Sequence, residues 1–191
     1  GTERNSPVQG QNVADTVGLA QLAAEAGAKV FVGAGSQAEY GPYPRAIRED
    51  DITRPTTLYG MAKLAAGSMA IHLSKERGLR ATWLRVFSTY GPKDADHWLI
   101  PSTIRNLRSG QHMALTACEQ QWGFLHARDA AAAFRLAITD PTASGVFNVG
   151  SPEAPPLRGT VTRLRDLVSP GAGLGFGELA YRPDQVMVLA A

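Results

Sequence analysis

Residues 56–63 have the sequence TTLYGMAK and follow, after a charged, proline-containing loop, the apolar run Val30–Ser36, VFVGAGS. Residues 29–32 predict a strand with Ser36 at its end, and Pro55 marks the start of a helix. On that helix Tyr59 and Lys63 are four positions apart and share one face. The spacing therefore predicts a phenol held beside an ammonium.

This pair has a chemical use. An ammonium close to a phenol favours the phenolate, so Lys63 would make Tyr59 a better proton acceptor and donor. Ser36, at the end of the predicted strand, is placed to hydrogen-bond the same substrate oxygen. An ordinary amphipathic helix with an incidental Tyr and Lys is the alternative, because Y-x-x-x-K is a common spacing.

The composition of the chain is that of a globular protein and limits the kinds of partner to expect. The chain has 191 residues, of which 44% are hydrophobic and 19% charged, enough for one globular core. We expect a cytoplasmic protein without a membrane partner, because no apolar run reaches the roughly 18 residues of a span and no leader opens the chain. A net charge of +2 without a Lys/Arg block predicts no nucleic-acid partner.

Cysteine and histidine usage predicts no metal site. The single Cys118 excludes an internal disulfide and a cluster of thiolate ligands. His97 and His112 lack a metal-ligand spacing to another His or Cys, so we expect them at the surface.

Periodicity and capping residues predict the other elements. Asn12 suits the N-cap and Gly27 the C′ position of a helix over 12–26, while Thr56 or Thr57 begins a helix over 56–77. The remaining predicted helices cover 100–108, 127–138 and 157–168; strands cover 29–32, 81–87, 113–116, 124–126 and 145–149; and the glycine-rich segment 171–177 is a flexible connector.

Gly33, Gly35 and Ala38 spell the dinucleotide fingerprint G-x-G-x-x-A. That fingerprint needs a helix that begins at the loop, whereas residues 40–44, YGPYP, predict a loop. The same test excludes Ser36 as a nucleophile elbow. We therefore interpret Ser36 as an orienting donor.

Three segments resemble, in order, the extended short-chain dehydrogenase/reductase family: 30–41, VFVGAGSQAEYG; 59–63, YGMAK; and 84–92, LRVFSTYGP. Within it the chain is similar to the NAD-dependent epimerase/dehydratase branch, which remodels nucleotide sugars. Further matches are 124–129, FLHARD; 147–150, FNVG; and 181–183, YRP.

The resemblance implies an α/β fold: a partial Rossmann-like, doubly wound parallel sheet that lacks its first βαβ units, plus part of a small α/β substrate domain. Residues 1–92 would be the C-terminal part of the NAD(P)-binding Rossmann domain. Residues 93–191 would be a mixed segment that adds the last Rossmann elements and the substrate-binding subdomain. The first strand-turn-helix with its G-x-x-G-x-x-G loop is missing, and the chain stops at Ala191 where relatives continue into another helix, so we expect a family member cut at both ends.

The resemblance also implies the site. Tyr59 would exchange a proton with the sugar, Lys63 would bind the nicotinamide ribose, and Ser36 would orient the substrate oxygen. The cofactor would be NAD or NADP, bound by Asn12, Gly35, Tyr59, Lys63, Val86 and Phe87.

The substrate-binding positions are Ser36, Ser88, Trp122 and Arg182. Arg182 would hold the diphosphate of a nucleotide sugar, a task suited to a guanidinium. Ser88 stands where many relatives have Asn, and Trp122 where many have a phosphate-binding Arg. Trp122 would either stack on a base or sugar or close a cap.

Residues 37 and 38 narrow the reaction. Dehydratases of this family carry Asp and Glu there, whereas this chain has Gln37 and Ala38, which cannot exchange a proton at neutral pH. We therefore expect a 4-epimerase or a 4-ketoreductase, which would form a homodimer through the Tyr59–Lys63 helix. The alternatives are a non-catalytic, cofactor-binding regulator or scaffold of the same fold, or an inactive fragment of the enzyme.

Overall fold

The computed structural model describes residues 3–182 and 185–191. Its elements are, in chain order, α1 Gln9–Glu25, β1 Val30–Ser36, a 3-10 turn Gln37–Glu39, α2 Leu58–Glu76, β2 Arg80–Val86, β3 Thr89–Tyr90, α3 Leu99–Ser109, β4 Ala114–Leu115, β5 Gln121–Trp122, β6 Leu125–His126, α4 Ala127–Thr139, β7 Gly145–Val149, α5 Leu157–Val168, β8 Gly175–Phe176 and β9 Val188–Leu189.

The central sheet has three parallel strands in the order β1-β2-β7. In its register Ser36 pairs with Val86, and Val86 pairs with Val149. The carboxyl ends of all three strands therefore lie along one edge. Ligands bind at this edge in open α/β sheets.

Helices cover both faces of this sheet. The α1–α2 pair packs on one face, with α2 against β1 and β2, and α4 packs against the same strands. On the α4 side, Leu84 and Val149 form a core with Ala130 and Ala137. The doubly wound α/β fold predicted from the sequence is thus confirmed.

The α2 face is built around Trp83, which is 2% exposed. Its ring fills space left by glycines on two elements, Gly33 and Gly35 on β1 and Gly67 on α2. A Cβ on Gly67 would lie 2.5 Å from Trp83 Cε2. The absence of a side chain at Gly67 lets α2 approach the sheet closely.

We expect Gly67→Ala to destabilise the fold by about 1–3 kcal/mol, because the added methyl group overlaps the indole and α2 must move outwards. Gly18→Ala on α1 is the matched control, since a Cβ there meets nothing within 4 Å. The control should gain up to about 1 kcal/mol from helix propensity. Urea denaturation measures both, and equal effects would refute close packing at Gly67.

A smaller α/β part follows β2. It contains the two-stranded parallel pairs β3-β6, β4-β8 and β5-β9, and α3 packs against α5. The core of this part is formed by Met113, Leu115, Cys118, Leu157 and Val161. Among the described residues, no helix is long and apolar enough to cross a membrane.

Two predicted elements are wrong in detail. α1 begins at Gln9 with Val8 at its N-cap, not Asn12, because turn hydrogen bonds to the carbonyls of Ser6 and Pro7 start the helix earlier. Pro7 is compatible with such a start since it needs no hydrogen-bond acceptor for its nitrogen. The connector 171–177 contains β8, which pairs with β4.

Candidate active site

A cavity of about 460 Å³ opens at the carboxyl ends of β1 and β2. Its wall combines residues from both strand ends with the first turn of α2 and the aromatic segments that follow β2. A more open groove of about 590 Å³ runs along α5, and no strand-end residue lines it. The strand-end cavity is the candidate site because its wall brings together Ser36, Tyr59 and Ser88, three of the polar residues predicted from the sequence.

Ser36 is the last residue of β1 and is 7% exposed. Its Oγ accepts a hydrogen bond from the Ala38 N–H at 3.2 Å, and its own N–H donates to Glu39 Oε1 at 2.9 Å. These reciprocal bonds form a capping box on the 3-10 turn. The hydroxyl group keeps a donor for a ligand in the cavity.

Tyr59 reaches the cavity from the first turn of α2. The helix is capped by Thr57, whose hydroxyl accepts from the Gly60 N–H at 3.1 Å. A Cβ on Gly60 would collide with the Ala38 carbonyl oxygen, so α2 starts directly against the turn that follows Ser36. Gly60 thus brings the phenol and the Ser36 hydroxyl into one cavity.

A distant segment also caps α2. The backbone N–H of Tyr59 donates to the Arg4 carbonyl at 2.8 Å, and the N–H of Leu58 donates to Asn5 Oδ1 at 3.1 Å. Amide groups in the first turn of a helix lack partners within the helix. The segment before α1 satisfies two of them and fixes the backbone of Tyr59.

Lys63 lies one turn further along α2. Its Nζ donates to the Ala34 carbonyl on β1 at 2.9 Å and lies 6.0 Å from the centroid of the Tyr59 ring. The ammonium is therefore held between the strand and the phenol.

Most other predicted site residues lie in the wall of the same cavity, namely Gly35, Val86, Phe87, Ser88 and Trp122. The Phe87 N–H donates to the Val149 carbonyl at 2.9 Å, which fixes the backbone of this wall to β7. The assigned roles of these residues remain predictions.

Two predicted residues lie elsewhere. Asn12 is exposed on α1, where its Nδ2 donates to Gln9 Oε1 at 2.7 Å. Arg182 is exposed and is not among the described residues of the cavity wall, although Gln185 is. Pro183 of the YRP motif lies outside the described residues.

Sequence reasoning missed other residues of the wall: Arg4, Tyr90, Asp94 and Trp98. Tyr90 carried a usable signal, since it lies three residues after the predicted strand 81–87. No sequence signal indicates that Arg4 lies near Tyr59, because this contact depends on packing between segments far apart in the chain. Among the described residues, no cluster of His, Cys, Asp and Glu could hold a metal ion.

Comparison with curated proteins identifies relatives. The chain is 28% identical over 167 residues to GDP-6-deoxy-D-mannose reductase of Pseudomonas aeruginosa, covering 82% of this chain and 55% of that protein. It is 25% identical over 162 residues to ADP-L-glycero-D-manno-heptose-6-epimerase of Nitratidesulfovibrio vulgaris, covering 76% and 49%. The chain spans about half the length of the curated relatives it matches.

Solved structures share the fold. MoeE5 in complex with UDP-glucuronic acid and NAD matches with a TM-score of 0.80 and 29% identity, covering 94% of this chain and 61% of that one. WbmG of Bordetella bronchiseptica, in complex with NAD and UDP, matches with a TM-score of 0.80 and 25% identity, covering 94% and 56%. The UDP-N-acetylglucosamine 4-epimerase of Methanobrevibacter ruminantium M1 has a TM-score of 0.86 at 21% identity, covers 94% and 59%, and supports the fold alone.

A family model also matches, over residues 2–150. It includes the strand end at Ser36 and the pair formed by Tyr59 and Lys63. The chain belongs to the NAD dependent epimerase/dehydratase family.

Proposed function

We propose that the full-length protein is an NAD(P)-dependent enzyme that acts on a hexose of a nucleotide sugar, as a 4-epimerase or a 4-ketoreductase. The observation that carries the proposal is the presence of Ser36 and Tyr59 in the wall of one cavity at the sheet edge, with the Lys63 ammonium 6.0 Å from the centroid of the Tyr59 ring. A reductase and an epimerase among the relatives support the general reaction class, since the chain resembles GDP-6-deoxy-D-mannose reductase and ADP-L-glycero-D-manno-heptose-6-epimerase; the reacting carbon, position 4, is part of our proposal.

The residues of the cavity fit the nicotinamide half of the cofactor. Val86 and Phe87 offer an apolar wall. Lys63, whose ammonium lies beside Tyr59, would bind the ribose hydroxyls. When bound, NAD or NADP supplies or takes the hydride. WbmG and MoeE5 were solved with NAD, and a Pseudomonas aeruginosa structure named RMD was solved with NADPH, so both cofactors stay in the proposal.

Three side chains would act on the substrate. Tyr59 would exchange a proton with the sugar hydroxyl or ketone oxygen. The Lys63 ammonium would stabilise negative charge on the phenol oxygen. Ser36 would donate a hydrogen bond to the same sugar oxygen and hold it in reach of the phenol.

The residues after Ser36 argue against dehydration. Gln37 lines the cavity but cannot act as an acid or base, and Ala38 has no polar side chain. The one carboxylate of the 3-10 turn, Glu39, is 1% exposed and does not face the cavity. It is therefore a poor substitute for the missing acid.

We further propose that the nucleotide sugar contacts Ser88 and Trp122. Both belong to the cavity wall, where the Trp122 ring offers a flat face for a base or sugar. Arg182 stays a candidate for the diphosphate group, because a guanidinium pairs well with phosphate oxygens.

The function is tested by incubating the full-length protein with NAD, NADH, NADP or NADPH and a panel of nucleotide sugars and their 4-keto forms. A 4-epimerase yields the epimer without net change of cofactor, and a 4-ketoreductase oxidises the reduced cofactor with a keto sugar. If the protein binds cofactor but turns over none of these substrates, the regulator or scaffold is favoured. That alternative is suggested by Ser88 and Trp122, which differ from the residues that many relatives have at these positions. Turnover by the full-length protein but not by the 191-residue chain would mark the latter as an inactive fragment.

The homodimer through α2 is part of the proposal. Met69 on α2 and Leu22 on the adjacent α1 are 50% and 62% exposed, which leaves apolar surface on the outer side of the helix pair. We expect Met69→Lys to convert a dimer to a monomer in sedimentation velocity, because a charge would be buried in the interface. Leu167→Lys on α5 is the control, and a monomeric wild-type protein would contradict the dimer.

A further inference from the structure

A carboxylate without a role in the proposed chemistry is buried beneath Ser36. Glu39 is 1% exposed. Its Oε1 accepts hydrogen bonds from the Ser36 N–H and from Trp83 Nε1, each at 2.9 Å, and its Oε2 accepts from Arg85 Nε at 2.7 Å. One side chain thus ties the end of β1 to two side chains of β2.

Arg85 extends this connection to the third strand. It is 6% exposed, and its guanidinium stacks 4.4 Å from the centroid of the Tyr40 ring. The Tyr40 hydroxyl in turn donates to Asn148 Oδ1 on β7 at 2.8 Å. A chain of contacts through Arg85 and Tyr40 therefore connects the Glu39 carboxylate to all three strands of the central sheet.

Glu39 and Arg85 form a buried salt bridge. Burial lowers the pKa of Arg85, but the hydrogen bonds and charge interactions with Glu39 and Tyr40 together outweigh it and leave the pKa above its ordinary value. A buried ion pair contributes little to stability compared with well-packed apolar residues of similar volume. A specific geometric task is the better explanation for its presence.

The chain makes room for this carboxylate next to the site. A Cβ on Gly35 would lie 2.6 Å from Glu39 Oε1 and 2.8 Å from Trp83 Cδ1. Only a glycine leaves space for the carboxylate to reach the Ser36 amide. Gly35, Ser36 and Glu39 thus form one unit in which the acid fixes the backbone that carries the hydroxyl.

We propose that Glu39, anchored by Arg85 and Trp83, is a positioning residue that holds the Ser36 hydroxyl at the substrate oxygen. The carboxylate binds the Ser36 N–H while the Ser36 hydroxyl accepts from the Ala38 N–H, so the turn and the hydroxyl are fixed together. The kinetic consequence rests on the proposed function because it concerns the same serine.

Two double variants isolate the oxygen acceptor. Glu39→Gln with Arg85→Met keeps an acceptor for the Ser36 N–H, whereas Glu39→Leu with Arg85→Met removes it. Both lack the ion pair, so neither leaves a buried charge alone. Thr82→Val is the control for a lost buried hydrogen bond on β2, since Thr82 Oγ1 donates to the Ala143 carbonyl at 2.9 Å, remote from Ser36.

The first readout is amide hydrogen exchange in the full-length protein, which needs no activity. We expect the Ser36 amide to exchange at least about tenfold faster in Glu39→Leu/Arg85→Met (the Leu/Met variant) than in Glu39→Gln/Arg85→Met (the Gln/Met variant), because the Leu/Met variant lacks the hydrogen-bond acceptor of this amide. Amides in the middle of β1 should not change, nor should Ser36 in Thr82→Val. Equal Ser36 exchange in the two double variants would overturn the proposal.

The second readout is kinetic. We expect kcat to fall about 10²-fold in the Leu/Met variant with little change in KM, and to recover in the Gln/Met variant. In a Ser36→Ala background the Leu/Met change should cost nothing further, because the residue it positions is absent. A further fall in kcat when the Leu/Met change is added to Ser36→Ala would show that Glu39 acts only on the fold. No turnover by the wild type would defeat the proposed function, while the exchange experiment would still decide the positioning role.

Discussion

Tyr59→Phe is expected to lower kcat about 10²–10⁴-fold, because it removes the group that exchanges the proton and leaves the ring in place. Cofactor affinity should be kept, since Lys63 and the wall formed by Val86 and Phe87 are untouched. Steady-state kinetics and calorimetric titration of NAD(P) on the full-length protein measure the two effects separately.

Tyr43→Phe is the matched control for this substitution. The Tyr43 hydroxyl donates to the Ile52 carbonyl at 2.7 Å in the loop before α2, and the residue does not line the cavity. The control should retain the activity of the wild type. A fully active Tyr59→Phe variant would show that another group exchanges the proton.

Trp83→Ala is expected to cost about 3–5 kcal/mol of unfolding free energy, because the change empties a space that three glycines leave for the indole. Those glycines lie on β1 and α2, so the cavity would open between the sheet and the helix that carries Tyr59 and Lys63. The indole N–H bond to Glu39 would also be lost.

Trp98→Ala is the control for the loss of a tryptophan. Trp98 is 48% exposed and stacks at a tilt on His97. Its removal should cost less than about 1 kcal/mol, as is usual for partly exposed positions. Denaturant unfolding of both variants makes the comparison, and similar costs would refute the central packing role of Trp83.

Local signals made much of the site predictable. In the sequence, Thr57 marks the start of α2 and Gly78 marks its end. The four-residue spacing of Tyr59 and Lys63 predicts their shared face without knowledge of the fold. Ser36 was predictable as a residue at the end of an apolar strand, although β1 extends to Ser36 itself, beyond the predicted strand 29–32. The bounds of α5 and β7 were also predicted correctly, because turn residues flank both elements.

Contacts between distant segments were not predictable in this way. Nothing near Glu39 in the sequence indicates that its partners are Trp83 and Arg85, since strand pairing brings them together. The two-residue strand β8 escaped detection because a glycine-rich segment has weak strand propensity and gains its pairing only from β4. Arg4 approaches Tyr59 through the packing of α1 on α2.

The central claim is that Tyr59, with Ser36 and Lys63, serves hydride transfer at a sugar carbon. Its most direct test follows deuterium by mass spectrometry, with the full-length protein at concentrations equal to those of its ligands. One arm supplies deuterated NAD(P)H with a 4-keto nucleotide sugar, and the other supplies NAD(P) with a sugar deuterated at the reacting carbon. We predict for the wild type either a sugar that gains deuterium from the cofactor in the first arm or an epimer that retains its deuterium in the second, and neither product with Tyr59→Phe. Failure of the wild type to form either labelled product across the panel, an epimer that has lost its deuterium to water, or equal product formation by the variant would contradict the claim.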